Sequence, residues 1–237
     1  MTSLNNISII LVKPQMGENI GAAARIMHNF GLTDLRLIAP RDGWPNQKAI
    51  DMASGAAKII ANAKVFDSFE NATADLTMLY ATTARERDMN KEALTPREFS
   101  GELSQNHKTG IVFGPERSGL ENFEVTHCNK ILYIPVNPEY RSLNIAQAVA
   151  VICYEVSQAP ALQQSPSEAE LAEKATKGDY NALFSFLESA LDASNFFQVA
   201  EKKPKMMDNI RNIFSRLDLS DQEMRTLRGV LKALTSK

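Results

Sequence analysis

An α/β fold, with a mostly parallel sheet covered on both faces, is predicted from three features of the chain. Short continuous apolar runs recur at residues 7–12, 76–81, 111–113 and 131–134, the pattern of strands buried on both sides. Helical patterns alternate with them, as in βαβ units. Loops rich in Gly, Pro and small polar residues follow the runs, where sheets of this kind hold ligands.

Residues 7–12 (Ile-Ser-Ile-Ile-Leu-Val) form the first strand, which Lys13-Pro14 ends. The small-residue segment from Gly17 to Arg25, continuing to Gly31, forms a helix; its alanines favour one and Gly31 is a natural stop. Small side chains allow another backbone, or a ligand, to come close. Asn19 and Arg25 stand out among its polar residues. Residues 35–38 form a second strand, 47–61 a helix, 65–66 a short strand and 76–81 a clearer one, ending in the turn Thr82-Thr83-Ala84-Arg85. Thr95-Pro96-Arg97-Glu98 opens a helix with a cap, a first-position Pro and a Glu three residues after the cap. Strand 111–113 runs into Gly114-Pro115-Glu116-Arg117-Ser118-Gly119-Leu120. A short helix at 122–127 and a last strand at 131–134 follow.

The chain is organised around residues 134–156. Pro135 and Pro138 interrupt regular structure. A helix then covers 145–156, capped by Ser142 or Asn144. Its nearly unbroken apolar character predicts burial on most sides. The polar loop between, with Asn137, Glu139, Arg141, Ser142 and Asn144, needs hydrogen-bond partners beside a core. This loop, the loops at 82–85 and 114–119, and the 19–25 segment all follow strands, so their common edge of the sheet is the predicted binding site.

Residues 158–168 read as a linker by their Pro, Ser and Gln content. They divide a 1–157 domain from a helical extension over 169–237. Leu183, Phe184, Leu187 and Leu191 share one helical face, Pro204 opens a second helix, and Ser220-Asp221-Gln222-Glu223 is a capping box before a third. These faces are packing surfaces within the extension, or a dimer contact.

The net charge of −2 carries no global sign of nucleic-acid binding. Its distribution is uneven: residues 160–195 hold two basic and six acidic residues, and 196–237 hold nine basic and five acidic. The basic end fits an RNA footprint or an ordinary solvated helical surface. No run of about 18 apolar residues predicts a membrane span, and residues 1–8 lack a secretory-signal pattern. Cys128 and Cys153 lie apart and His28, His107 and His127 are scattered, so neither zinc nor a disulfide is expected; a reducing cytoplasm fits. Phosphate-loop, dinucleotide-fingerprint and nucleophile-elbow patterns are absent.

Three motifs occur in order: Asn19-x-Gly21-x-x-x-Arg25; Val112-Phe113-Gly114-x-Glu116-x-x-Gly119-Leu120; and Ile134-Pro135 through Ser142-Leu143-Asn144-x-x-x-Ala148. Together, over residues 5–156, they resemble the SpoU/TrmH-type RNA ribose 2′-O-methyltransferases of the SPOUT superfamily. The Asn137-Pro138-Glu139-Tyr140 wording and the helical tail look most like the TrmJ type, which acts on nucleotide 32 of the tRNA anticodon loop. The resemblance implies a deep trefoil knot at the C-terminal part of the α/β domain, an exception to the unthreaded chain. It implies S-adenosylmethionine as cofactor, a homodimer with sites at the subunit interface, and tRNA as substrate. It puts cofactor contacts on Thr82, Thr83, Ala84, Gly114, Ile134, Arg141, Ser142 and Leu143. Arg25 becomes the catalytic group, with Asn19, Glu116, Ser142 and Asn144 around it. Two positions depart from the pattern: Arg141 replaces a residue often small, and Pro115 stands where TrmJ enzymes often carry Arg. A ribosomal RNA methyltransferase and a catalytically silent RNA-binding dimer are the competing readings.

Taken singly, Arg25 also fits a helix-surface ion pair, Glu116 a loop or cap carboxylate, and Ser142 and Asn144 helix caps. In a methyl transfer to a sugar hydroxyl, the hydroxyl must lose its proton. A guanidinium ordinarily titrates above about 12. Arg25 therefore either loses its proton with the help of a neighbouring phosphate, or stays charged, holds that phosphate and stabilises the developing alkoxide. Lys202, Lys203, Lys205 and Arg211 are the candidates for RNA phosphate contact in the tail.

Overall fold

The apolar runs become strands β1 (Ile7–Val12), β2 (Asp34–Ile38), β3 (Lys64–Phe66), β4 (Met78–Thr82), β5 (Ala93–Leu94), β6 (Thr109–Phe113) and β7 (Lys130–Leu132). A computed structural model describes residues 4–83, 90–160 and 173–235. The strands form a single sheet, all neighbours parallel, in the order β3-β2-β1-β6-β4-β7-β5. Alternation within the runs splits the core between two faces. Ile7, Ile9, Leu11, Ile111 and Phe113 point to one apolar cluster, and Ile10, Val12, Leu79 and Val112 to the other. Both faces are covered, which is why the runs are continuous rather than alternating.

Ten helices accompany the sheet among the described residues: α1 (Gly17–Asn29), α2 (Gln47–Ala53), α3 (Ala57–Ala61), α4 (Phe69–Thr73), α5 (Pro96–Glu102), α6 (Asn122–His127), α7 (Ile145–Ser157), α8 (Lys177–Ala193), α9 (Lys203–Ser215) and α10 (Asp221–Thr235). The helix expected over 47–61 is two helices. A 3-10 turn at Ser54–Ala56 separates them, where Ser54 takes φ +47°. The predicted capping box at Thr95 and Glu98 is present. The last strand stops at Leu132, short of the expected Ile134.

Helix α1 packs on both α2 and α7. A Cβ on Gly21 would lie 2.3 Å from the Ala49 carbonyl oxygen and 2.8 Å from the Met52 Cβ. Only glycine allows the two helices to approach this closely.

Helix α7 corrects the expectation of burial on most sides. Ile145, Val149, Ile152, Cys153 and Val156 are buried, but Val151 and Tyr154 are 39% and 49% exposed. Phe30, at the end of α1, meets Tyr154 edge-on with ring centroids 6.2 Å apart. One apolar stripe of α7 therefore faces outward.

The extension has its own apolar cluster of Ala175, Tyr180, Leu183, Phe184 and Met224. It also docks on the α4 and α6 side of the sheet. Aromatic contacts run from Phe123 to His127, on to Phe184 and then Phe214. The buried Lys91 ammonium donates to the Thr126 and Cys128 carbonyls and, at 2.7 Å, to the Ser215 hydroxyl. Among the described residues no helix is long and apolar enough to cross a membrane.

Candidate functional site

Strands β6, β4 and β7 are adjacent and parallel, so their carboxyl ends and following loops meet along one edge. There the protein has a cavity of about 680 Å³. Thr82 and Thr83 form one part of its wall and residues 113–120 another. Leu132, Ile134, Arg141, Ser142, Leu143, Ile145 and Ala148 complete it. The sequence-predicted residues Thr82, Thr83, Gly114, Glu116, Ile134, Arg141, Ser142 and Leu143 are thus brought together. Ala84 lies outside the described residues.

Backbone geometry builds the walls. The Thr82 hydroxyl donates to the Val112 carbonyl at 2.8 Å, tying β4 to β6 at their ends. The Thr83 N–H donates to Leu132 at 3.2 Å. The 114–119 loop doubles back, with the Gly119 N–H donating to the Pro115 carbonyl at 2.8 Å. A Cβ on Gly114 would lie 2.2 Å from the Leu120 nitrogen, so the loop closes only over a glycine.

The three motifs are joined by one directed chain of hydrogen bonds. Asn144 caps α7 by accepting from the Ala146 N–H at 2.8 Å. Its Nδ2 then donates to Asn19 Oδ1 at 2.9 Å. Asn19 Nδ2 donates to Glu116 Oε1 at 2.8 Å, and Glu116 Oε2 accepts from the Gln15 N–H at 3.0 Å. Each amide has one donor end and one acceptor end, so the cap at one terminus and the carboxylate at the other set both orientations. The cap is therefore Asn144, and Ser142 is left to line the cavity.

Replacing Asn144 with Asp separates capping from this relay. The carboxylate still accepts from Ala146, but it has no hydrogen to give Asn19 and sets two acceptors face to face. The loss of one hydrogen bond, worth about 1–1.5 kcal/mol, is expected to speed amide exchange across residues 135–144 by about tenfold. Unfolding should shift by no more than about 5 °C. Exchange mass spectrometry checks it; unchanged protection would show that the loop is held by other contacts.

Arg25 lies elsewhere. It is exposed on α1, does not line the cavity of its own chain and makes no side-chain hydrogen bond or ion pair among the described residues. In the extension, Lys203 is paired with Glu188 and Asp192, and Arg211 with Asp208. Lys202 and Lys205 are exposed. Sequence reading passed over Arg117, a cavity-lining residue, although its place inside the 114–119 loop was the available signal.

Residues 6–154 match the SpoU rRNA Methylase family, and residues 178–237 match the tRNA methyltransferase TrmJ C-terminal domain. The chain is 36% identical over 236 residues to a tRNA (cytidine/uridine-2′-O-)-methyltransferase TrmJ of Photorhabdus laumondii, covering 98% of this chain and 97% of that protein. It is 37% identical over 238 residues to the protein of the same name in Escherichia coli K12, covering 98% and 96%. The crystal structure of TrmJ from Z. mobilis ZM4 superposes with a TM-score of 0.87 at 42% identity, covering 96% of this chain and 98% of that one.

Proposed function

The chain belongs to the SpoU methylase family and carries a TrmJ-type C-terminal domain, and from that premise we propose that it methylates a ribose 2′-hydroxyl of tRNA, at cytidine or uridine 32 of the anticodon loop. The observation that carries this reading is the Asn144–Asn19–Glu116 relay, which joins three distant motifs at the rim of one cavity.

The cavity suits S-adenosylmethionine. Its volume is that of a small-molecule site. It combines apolar walls at Leu120, Ile134 and Leu143 with polar loop backbone, and Gly114 keeps a side chain out of the 114–119 turn. Thr82, Thr83, Gly114, Ile134, Ser142 and Leu143 would hold the cofactor, with Arg141 contributing through its backbone. When bound, it supplies an electrophilic methyl on a sulfonium. Asn19 and Asn144 hold the loop in register, Glu116 anchors Asn19, and Ser142 stands at the cavity wall to orient the acceptor hydroxyl. In-line displacement gains much of its rate from such positioning. Arg25 takes the hydroxyl proton or stabilises the developing alkoxide.

Arg25 does this from the partner subunit of a homodimer. The exposed stripe of α7 with Val151 and Tyr154 supports such an association, since exposed apolar surface is the usual mark of an interface. A knot formed by the third motif, residues 134–148, a domain division at the 158–168 linker and a cytoplasmic location belong to the same proposal.

S-Adenosylhomocysteine at about 100 times its Kd is expected to stabilise the protein by about 2.7 kcal/mol, and so to raise Tm by several degrees. Incubation with tRNA and S-adenosylmethionine should give 2′-O-methylation at nucleotide 32, read by mapping the modified nucleotide. No thermal shift together with no methyl incorporation overturns the enzyme; methyl on ribosomal RNA alone redirects the substrate.

A further inference from the structure

Two arginines line the cavity without a carboxylate partner among the described residues. Arg117, on the loop after β6, is exposed and has no side-chain hydrogen bond or ion pair among the described residues. Arg141, on the loop after β7, makes one side-chain hydrogen bond among the described residues, from its Nε to the Pro138 carbonyl at 3.4 Å. Among the described residues the sole acidic one in the cavity wall is Glu116, whose two oxygens already accept from Asn19 and Gln15. Glu139, two residues from Arg141, makes no ion pair with it among the described residues. The described cavity wall is therefore cationic.

The apolar walls and loop backbone suit the proposed cofactor, but its single carboxylate does not offset both arginines. S-Adenosylmethionine carries a sulfonium, an ammonium and one carboxylate, and is itself a net cation. The second substrate brings a counter-charge to this described wall. Every internal ribose 2′-hydroxyl in RNA has a phosphodiester on the adjacent 3′-oxygen, so a phosphate always enters beside the reacting oxygen. Guanidinium groups bind such oxygens in a two-pronged geometry.

Resting on the methyltransferase reading above, we propose that Arg117 and Arg141 are positioning residues that grip the phosphodiesters flanking the target ribose, from the two loops that form the cavity. This goes beyond a backbone role for Arg141 toward the cofactor. It also leaves Arg25 free to act on the hydroxyl itself.

The test compares wild type with Arg117→Gln, Arg141→Gln and the double variant. The tRNA Kd is measured from 50 to 250 mM salt, and the S-adenosylhomocysteine Kd by calorimetry. Each lost phosphate contact is expected to lower the slope of log K against log salt by about 0.7–0.9. Each single variant should weaken tRNA binding about tenfold and leave S-adenosylhomocysteine binding within about twofold. Arg117→Lys and Arg141→Lys keep the charge and should keep the slope, which separates lost charge from a misfolded loop. An unchanged slope and tRNA Kd in the Gln variants overturns the proposal. Weakened S-adenosylhomocysteine binding with tRNA binding intact overturns it too, and assigns the arginines to the cofactor carboxylate. If wild type itself binds neither tRNA nor S-adenosylhomocysteine, the methyltransferase reading has failed, a result distinct from an unchanged slope.

Discussion

Arg25→Ala is expected to lower kcat by about 10³-fold or more, the scale of losing one preorganised group at a developing oxyanion, while leaving S-adenosylhomocysteine binding intact. The second half follows from position, because Arg25 is exposed on α1 and lines no part of its own chain's cavity. Subunit mixing tests where it acts. Gly114→Val closes the loop against Leu120 and destroys the cavity, but keeps Arg25. Neither variant alone should turn over. Co-refolded in equal amounts, half the dimers of a two-fold assembly pair one intact cavity with one intact Arg25 across the interface. Activity should return to roughly a quarter of wild type. No recovery, with heterodimers demonstrated by mass spectrometry, would place Arg25 in its own subunit's reaction and remove the cross-subunit site. Arg25→Lys adds a second reading: retained turnover would show that charge suffices and that the two-pronged fork is dispensable.

The sheet was legible because its strands are buried on both sides and carry near-continuous apolar runs, as at Ile7–Val12 and Thr109–Phe113. The cavity was legible because all its loops follow parallel strands at one edge. What escaped was set by pairing rather than by composition. β5 is two residues long, Ala93–Leu94, and exists because β7 is its neighbour. α4 spans five residues, too few for a helical period, and is announced only by its Ser68 cap. The outward face of α7 was hidden because Val151 and Tyr154 are as apolar as its buried residues, and hydrophobicity alone does not say which partner covers it. The Asn144–Asn19 contact joins residues 125 positions apart, and the spacing of amides along a chain does not reveal who meets whom. The basic tail was legible as charge, but the ion pairs of Lys203 with Glu188 and Asp192 were not.

Lys177→Met is expected to stabilise the protein. Lys177 opens α8 and is buried between the extension and the sheet domain, 4% exposed, beside Thr73, Leu79, His127, Tyr180 and Ser215. Its ammonium has no hydrogen-bond partner among the described residues. Burial pulls its pKa down from the ordinary lysine value to about 7, with Cys128, Lys91 and Asp218 as smaller influences. The sign follows from proton counts. Between about pH 7 and about pH 10.5 the unfolded chain holds a proton that the folded chain has released, so stability rises with pH across that window. Below it both states are protonated and the cost is fully present. Lys91, which burial pulls down to about 8, adds the same sign over a narrower range. Methionine keeps the unbranched stem and removes the amine. Its Tm should exceed that of wild type by about 5 °C or more at pH 7. The rise in stability from pH 7 to pH 10 should lose up to about 1.4 kcal/mol per pH unit, the contribution of one proton. The alternative is that the amine earns its place through the Tyr180 ring, whose centroid lies 4.9 Å from Nζ. In that case Lys177→Met would lower Tm at pH 7 and leave the alkaline slope untouched, so thermal melts of both proteins at pH 7 and pH 9.5 decide between a buried liability and a cation–π anchor.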